Sequence, residues 1–424
     1  MRELWDPPLA SKPVDADVSI PGSKSITNRA AVLAALADGP SVICRPLLAR
    51  DTMLMIDGLR ALGTEIVGSS DVWTVTPAVL SGQCTVDVGN SGTVMRFLPP
   101  VACLAKGSVG FDGDERARHR PLAPVIEALR KLGADISDDG RGALPLTVHG
   151  TGRLAGGEVT LDASSSSQFV TALLLSGARF RDGVVVRHAG APLPSMPHIA
   201  MTVSMLRAAG AEVDDAEPSV WRVAPGPLRG GETTVEPDLS NAAPFLAAAL
   251  VTGGRVTVPG WPLATTQPGA ALPDLLASMG AHLRLDAGGL TLTGGGAVHG
   301  IDADLHDVSE LATVIAVLAS VADSPSQLRG IAHMRGHETD RLAALARELG
   351  GLGARVRETD DGLLIEPAPL HGGVFETYDD HRLASAAALL GLVVPGVRVV
   401  DVATTAKTLP GFVAMWAAML GGTP

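Results

Sequence analysis

The sequence predicts an α/β protein of two similar lobes, each assembled from three βαβαββ repeat units. Three observations point this way. One supersecondary unit is written six times, its helix starts recurring roughly every 70 residues. Each copy leads from a polar cluster into a helix of small apolar residues, then through a Gly- or Pro-containing turn into a β-branched strand such as VVVRH or GVRVV. At 424 residues the chain exceeds one ordinary core and suits two domains of about 200 residues each.

The six starts follow in order. Ser25-Ile-Thr-Asn-Arg29 enters AAVLAALADG, Asn90-Ser-Gly-Thr93 enters VMRFLPPVACLAKG, and Ser165-Ser-Ser-Gln168 enters FVTALLLSG. Ser240-Asn241 enters AAPFLAAAL, Ser309-Glu310 enters LATVIAVLASVA, and Asp379-Asp-His-Arg382 enters LASAAALLG. A second helix follows most of them, as in DTMLMIDGLRALG, LAPVIEALRKLG, IAMTVSMLRAAG, LPDLLASMG and DRLAALARELGG. Its apolar residues fall at i, i+3, i+4 and i+7, so one face is buried, and the Gly beyond suits a left-handed C-cap. A turn such as DDGRG or TDDG and a strand such as LPLTVHG or LTLTG close the unit. Crossovers near Val14–Ser19 and at Pro237-Asp238 divide the chain into a first lobe over 18–237 and a second over 1–17 plus 238–424, joined by two short hinges.

Composition narrows the function classes. A hydrophobic fraction of 46% with 18% charged residues is globular. The net charge of −12 and an aromatic content of 3% argue against nucleic acid and acidic membrane surfaces as partners. Cys44, Cys84 and Cys103 have no metal-ligand spacing and cannot all pair, as expected of a reducing compartment. The start MRELWDPPLA has no signal-peptide pattern, and the longest apolar run, Leu311 to Ala322, falls short of the ~20 residues a bilayer span needs. A soluble cytoplasmic protein, a monomer, is the expectation.

A helix start carries unpaired N–H groups and a partial positive charge, so several brought together would hold anions. In Pro21-Gly-Ser-Lys-Ser-Ile-Thr-Asn-Arg29, Ser23 separates Gly22 from Lys24, so a phosphate loop of the Gly-Lys-Ser type fails. A capped helix with two surface cations is the plain alternative to Ser25 and Arg29 gripping one phosphate. Gly92 sits where a ligand could touch backbone. Arg116, Arg118 and Arg120 crowd five positions, as either a solvated loop or an anion clamp. Ser164–Ser167 with Gln168 offer hydroxyls and an amide, without a His-Asp partner nearby for a serine nucleophile. His337-Glu-Thr-Asp-Arg341 is not a zinc helix, because Arg341 stands where a second histidine belongs. Each of these alone is more often a cap or a surface charge. Together Lys24, Arg120, Arg341, Arg382 and Lys407 are five cations beside Glu310 and Glu338, which implies anionic substrates and acid–base chemistry without metal or cofactor.

PGSKSITNR, NSGTVMRF, the ERARHRP loop, SSSSQF, HETDRL, DHR and ATTAKTLPGF together resemble the 5-enolpyruvylshikimate-3-phosphate synthase (3-phosphoshikimate 1-carboxyvinyltransferase) family over nearly the whole chain. The resemblance implies the enolpyruvyl transferase fold and transfer of the enolpyruvyl group of phosphoenolpyruvate to the 5-hydroxyl of shikimate 3-phosphate. Carried over by position, Lys24, Ser25, Arg29, Ser166, Ser167, Gln168, Ser195, Glu310 and His337 would bind shikimate 3-phosphate. Lys24, Gly92, Arg120, Gln168, Arg341, Arg382 and Lys407 would bind phosphoenolpyruvate. Glu310 would accept the hydroxyl proton, Glu338 would donate a proton to the methylene carbon, and Lys24 would touch both substrates.

The chain departs from many members where Glu310 replaces Asp, His337 replaces Lys and His198 replaces Tyr, a combination that looks actinobacterial. A histidine titrates near pH ~6.5, whereas lysine stays charged to about pH 10. Anion binding at His337 is therefore expected to weaken as pH rises. Glyphosate, with a phosphonate and a carboxylate, is an expected inhibitor, with Phe97 (Pro in many sensitive members) bearing on its affinity. The sister enzyme acting on UDP-N-acetylglucosamine carries Lys-Asn where Lys24-Ser25 stands, and usually a cysteine in the loop matching Asp112–Pro121, which has none here.

Overall fold

Six helices of the computed structural model, which describes residues 3–422, are buried on nearly every side. They are α1 (Lys24–Ala35), α2 (Gly92–Ala102), α3 (Gln168–Gly177), α4 (Ala243–Thr252), α5 (Ala312–Ser320) and α6 (His381–Gly391). A helix apolar all round has no face for water and belongs in a core. The helices that alternate with them are amphipathic. Ala123–Lys131, for example, buries Val125, Ile126, Ala128 and Leu129 while Glu127, Arg130 and Lys131 face solvent. No helix among the described residues is long and apolar enough to cross a membrane.

Among the described residues the strands form five four-stranded sheets and one three-stranded sheet. In the sheet that follows α2's own leading strand, Cys84–Asp87 runs parallel to Lys106–Asp112, which pairs antiparallel with Leu146–Thr151, itself antiparallel to Ile136–Ser137. This is the βαβαββ order read from the sequence. Two copies obtain their leading strand from elsewhere in the chain. Glu232–Thr234 lies parallel to Ser41–Cys44, the strand after α1, and Asp15–Asp17 lies parallel to Arg255–Val258, the strand after α4. The sixth copy departs from the pattern: Gly373–Phe375 and Val397–Val400 pair in parallel, and Leu4–Trp5 joins the latter antiparallel in place of a closing hairpin.

Contacts divide the chain into one unit, Gly22–Val235, and a second made of the flanking segments. The boundaries fall at 21/22 and 235/236, a few residues from the 17/18 and 237/238 read from the pattern. At the first crossover a Cβ on Gly22 would lie 2.3 Å from the Arg45 carbonyl oxygen, so only glycine lets the two backbones approach. Each unit has its own core. One gathers Val32, Met95, Phe97, Leu173 and Val186; the other gathers Leu246, Ile315, Leu318, Leu389 and Leu390.

The second core is anchored by an aromatic group. Phe245 lies 5.8 Å from Phe412 and 5.6 Å from Trp416, ring centre to ring centre, and all three are buried. Phe245→Ala is expected to cost about 3–5 kcal/mol of stability. Chemical denaturation would measure it, and a loss below about 1 kcal/mol would show that this cluster is not where the unit draws its stability.

Candidate active site

In the Gly22–Val235 unit the starts of α1, α2 and α3 meet. Asn28 Nδ2 on α1 donates to Thr93 Oγ1 on α2 at 2.7 Å, and Arg96 Nη1 on α2 donates to Gln168 Oε1 on α3 at 2.7 Å. The cap of α1 is Ser23, whose hydroxyl accepts from the Ile26 N–H, so Ser25 lies within the first turn. Lys24 Nζ lies 3.4 Å from the buried carboxylate of Asp51.

Arg29 points inward. Its Nε donates to Thr202 Oγ1 at 2.9 Å, Nη1 to the Ser25 carbonyl at 3.0 Å and Nη2 to the His198 carbonyl at 3.1 Å, with the Phe97 ring beneath at 5.4 Å. Burial lowers its pKa to about 9, which leaves it charged at neutral pH. Three of five donors face protein, so a ligand at Arg29 meets at most the remaining two.

The arginine-rich loop splits by role. Arg118 forms an exposed pair with Asp112, whereas Arg120 is buried and donates from Nη1 to the carbonyl (2.9 Å) and side-chain oxygen (3.2 Å) of Asn90. Arg96 braces the same region: besides Gln168 it donates to the Pro121 carbonyl at 3.1 Å and stacks over Phe169 at 5.0 Å. A Cβ on Gly92 would lie 2.9 Å from Arg120, 3.0 Å from Gln168 and 3.1 Å from Arg96 side-chain atoms. Gly92 therefore makes room for three polar heads. Ser166 Oγ accepts from the Gln168 N–H at 3.3 Å, Ser167 is buried, and Ser195 caps Met196–Ala208 from a left-handed conformation (φ 57°).

The other unit gathers its charges around one guanidinium. Arg341, first residue of helix Arg341–Gly351, donates from Nε and Nη2 to the two oxygens of Asp380 at 2.7 and 3.1 Å. Nη2 also donates to Glu338 Oε2 at 3.0 Å, and Nη1 donates to His337 Nδ1 at 3.1 Å. Glu338 Oε1 accepts from Lys407 Nζ at 2.8 Å. Burial alone would lower the Arg341 pKa, but Asp380 and Glu338 outweigh it and hold the value above ordinary arginine. Asp380 also caps α6 through the Arg382 N–H at 2.8 Å, after two residues, Tyr378 and Asp379, held at φ 54° and 56°. Strain of that kind persists where surroundings over-determine it. Glu310 lies on a single 3-10 turn, Ser309–Leu311, that leads into α5. No group of three or more His, Cys, Asp or Glu among the described residues is placed to hold a metal ion.

Each unit thus assembles part of the residue set read from the motifs: Lys24, Ser25, Arg29, Gly92, Arg120, Ser166, Ser167, Gln168 and Ser195 in one, Glu310, His337, Glu338, Arg341, Arg382 and Lys407 in the other. Sequence reading gave no role to Asp51, Arg96, Thr202 or His333. Arg96 stands four residues after Gly92, and His333 four before His337, spacings that place side chains on one helical face; Thr202 and Asp51 left no such signal.

Asp380→Ala would leave Arg341 buried beside Glu338 alone and is expected to destabilise by about 3–5 kcal/mol. Combining it with Arg341→Met should recover part of that loss in urea unfolding. An additive double variant would show that the two side chains do not act as a pair.

The EPSP synthase (3-phosphoshikimate 1-carboxyvinyltransferase) family model matches residues 9–416. A 3-phosphoshikimate 1-carboxyvinyltransferase of Kocuria rhizophila is 52% identical over 431 aligned positions, covering 99% of this chain and 97% of that protein. Among solved structures, an EPSP synthase from Acinetobacter baumannii aligns with a TM-score of 0.80 at 25% identity over 98% of both chains. The enolpyruvyl transferase NikO from Streptomyces tendae shares the fold, with a TM-score of 0.76 at 19% identity over 97% of this chain and 96% of its own.

Proposed function

This chain belongs to the EPSP synthase (3-phosphoshikimate 1-carboxyvinyltransferase) family, and we infer that it transfers the enolpyruvyl group of phosphoenolpyruvate to the 5-hydroxyl of shikimate 3-phosphate, releasing phosphate. Such a reaction feeds the route to chorismate and the aromatic amino acids. The observation that carries the chemical reading is Glu338, whose two oxygens are held by Arg341 and Lys407.

Both cations are assigned to phosphoenolpyruvate. The arriving anion competes with Glu338 for them. A carboxylate that loses cationic partners gains proton affinity, so substrate binding itself prepares Glu338 to protonate the methylene carbon. C2 then becomes cationic and takes the 5-hydroxyl oxygen, while Glu310 removes the hydroxyl proton. A methyl proton then returns to Glu338 as phosphate leaves the tetrahedral adduct with the proton held by Glu310, which restores the double bond and both carboxyl groups. Lys24, Arg120, Arg382, Gln168 and the Gly92 backbone complete the phosphoenolpyruvate contacts. Ser25, Arg29, Ser166, Ser167, Gln168, Ser195 and His337 hold shikimate 3-phosphate. Lys24 serves both, and no cofactor takes part.

Mixing the protein with both substrates should release phosphate, whereas UDP-N-acetylglucosamine in place of shikimate 3-phosphate should not. Phosphate release only with the nucleotide sugar would transfer the assignment to the sister reaction. Glu310→Gln and Glu338→Gln nearly preserve size while removing proton transfer, so each should lower kcat by ~10²-fold or more. Near-wild-type turnover in both would remove the acid–base assignment.

Glyphosate should compete with phosphoenolpyruvate for the same cations. In Gly92→Ala the methyl group displaces the Arg120, Gln168 and Arg96 heads, and glyphosate should weaken by about tenfold or more, about 1.4 kcal/mol. Phosphoenolpyruvate should weaken less, being shorter. Steady-state inhibition at several phosphoenolpyruvate concentrations measures both; equal inhibition of the two proteins would show that Gly92 does not line the pocket.

A further inference from the structure

We propose that Glu348 is a positioning residue for phosphoenolpyruvate binding: its carboxylate holds the left-handed segment that brings Asp380 to Arg341 and leads into α6 with Arg382. This rests on the assignment of Arg341 and Arg382 to phosphoenolpyruvate. Glu348 acts through the backbone of that segment and touches no substrate.

Helix Arg341–Gly351 carries both ends of the grip. Arg341 and Glu348 are buried and stand two turns apart on one helical face, about 10 Å along the axis. At one end Arg341 donates to both oxygens of Asp380. At the other, Glu348 Oε1 accepts from the Tyr378 hydroxyl at 2.5 Å and Oε2 from the Glu376 N–H at 2.9 Å. The first distance is that of a hydroxyl donating to a carboxylate. Residues 376–380 are thus fastened at both ends to a single helix. Upstream they continue strand Gly373–Phe375, and downstream they enter α6.

The segment needs that fastening. Tyr378 and Asp379 hold φ at 54° and 56°, a region that side chains other than glycine's rarely adopt. Two such residues in succession persist only where the surroundings over-determine them. The Asp380 N–H donates to the Thr377 carbonyl at 2.9 Å and closes the turn. Glu348 adds a bond on either side of Thr377, which is itself buried. Relaxation of Tyr378 or Asp379 toward ordinary φ would swing Asp380 off Arg341 and re-aim the first residues of α6, Arg382 among them. Burial, then Glu348, raises the Tyr378 pKa against the opposing pull of Arg347, so the hydroxyl remains a donor at neutral pH.

Steady-state kinetics and nitrogen-15 NMR of the full chain test this. Tyr378→Phe removes one hydroxyl and keeps the ring, so the protein should fold. KM for phosphoenolpyruvate should rise about three- to tenfold, the weight of one hydrogen bond, while KM for shikimate 3-phosphate changes by less than about twofold. Glu348→Ala removes both bonds and should raise the first KM further. In an Asp379→Gly background the left-handed conformation is free of side-chain strain, so there Tyr378→Phe should raise that KM by less than about twofold. In spectra without substrates, the Arg341 Nε–H is the arginine signal missing in Arg341→Met. It should be sharp and slow to exchange in the wild type, broadened in Tyr378→Phe, and sharp again once Asp379→Gly is added.

An unchanged KM for phosphoenolpyruvate in Tyr378→Phe, even with a lowered melting temperature, would reduce Glu348 to a structural clamp and overturn the proposal. An equal effect of Tyr378→Phe in both backgrounds would do the same, since strain would then play no part. So would a KM for shikimate 3-phosphate that rises as much as that for phosphoenolpyruvate. Absence of any turnover in the wild type would instead defeat the functional assignment, and the Arg341 signal would still decide whether Glu348 and Tyr378 set Asp380 on Arg341.

Discussion

A guanidinium taken out of water must be answered at once by carboxylates, and Arg341 is that group here. The charge of a buried arginine costs several kcal/mol unless it is paired and hydrogen-bonded. Asp380 and Glu338 meet the need, and in doing so they tie three separated segments together: the loop before helix Arg341–Gly351, the start of α6, and, through Glu338, the 3-10 helix ending at Lys407. The left-handed pair Tyr378–Asp379 is the local strain accepted so that Asp380 can both cap α6 and reach the arginine. Glu338 and the cations it holds are thus placed by the same interaction that makes burial tolerable.

The Gly22–Val235 unit answers its buried cations differently. Arg29 faces a hydroxyl and two carbonyls, Arg96 an amide oxygen and a carbonyl, and Arg120 the two oxygens of Asn90. These acceptors are neutral, so they orient the guanidinium groups by hydrogen bonds, whereas Lys24 lies opposite the carboxylate of Asp51. In the other unit Arg341 and Lys407 are ion-paired, sharing Glu338.

Exchange of leading strands explains how both units rest on one repeat without being interchangeable. Asp15–Asp17 completes the sheet beside α4, and Glu232–Thr234 completes the sheet beside α1, so the strand leading into each crossover is held by parallel pairing. Parallel partners need no tight turn, only an unpaired edge of matching length.

Much of this protein was legible in its residues. Period 3.6 on the outer helices, apolar continuity on α1 to α6, and glycine-marked turns identified the repeat, since each depends only on neighbours within about 20 residues. The motif residues Lys24, Gly92, Arg120, Glu338, Arg341 and Lys407 stood out through the short motifs that hold them, PGSKSITNR, NSGTVMRF, ERARHRP, HETDRL and ATTAKTLPGF. What the sequence could not show depends on distant partners. Three equivalent arginines at 116, 118 and 120 became one surface pair and one buried brace only when Asn90 was placed beside Arg120. Residue type and local period determined the fold and the inventory of groups; burial and long-range donor–acceptor matching, which no local pattern encodes, decided the charge and aim of each.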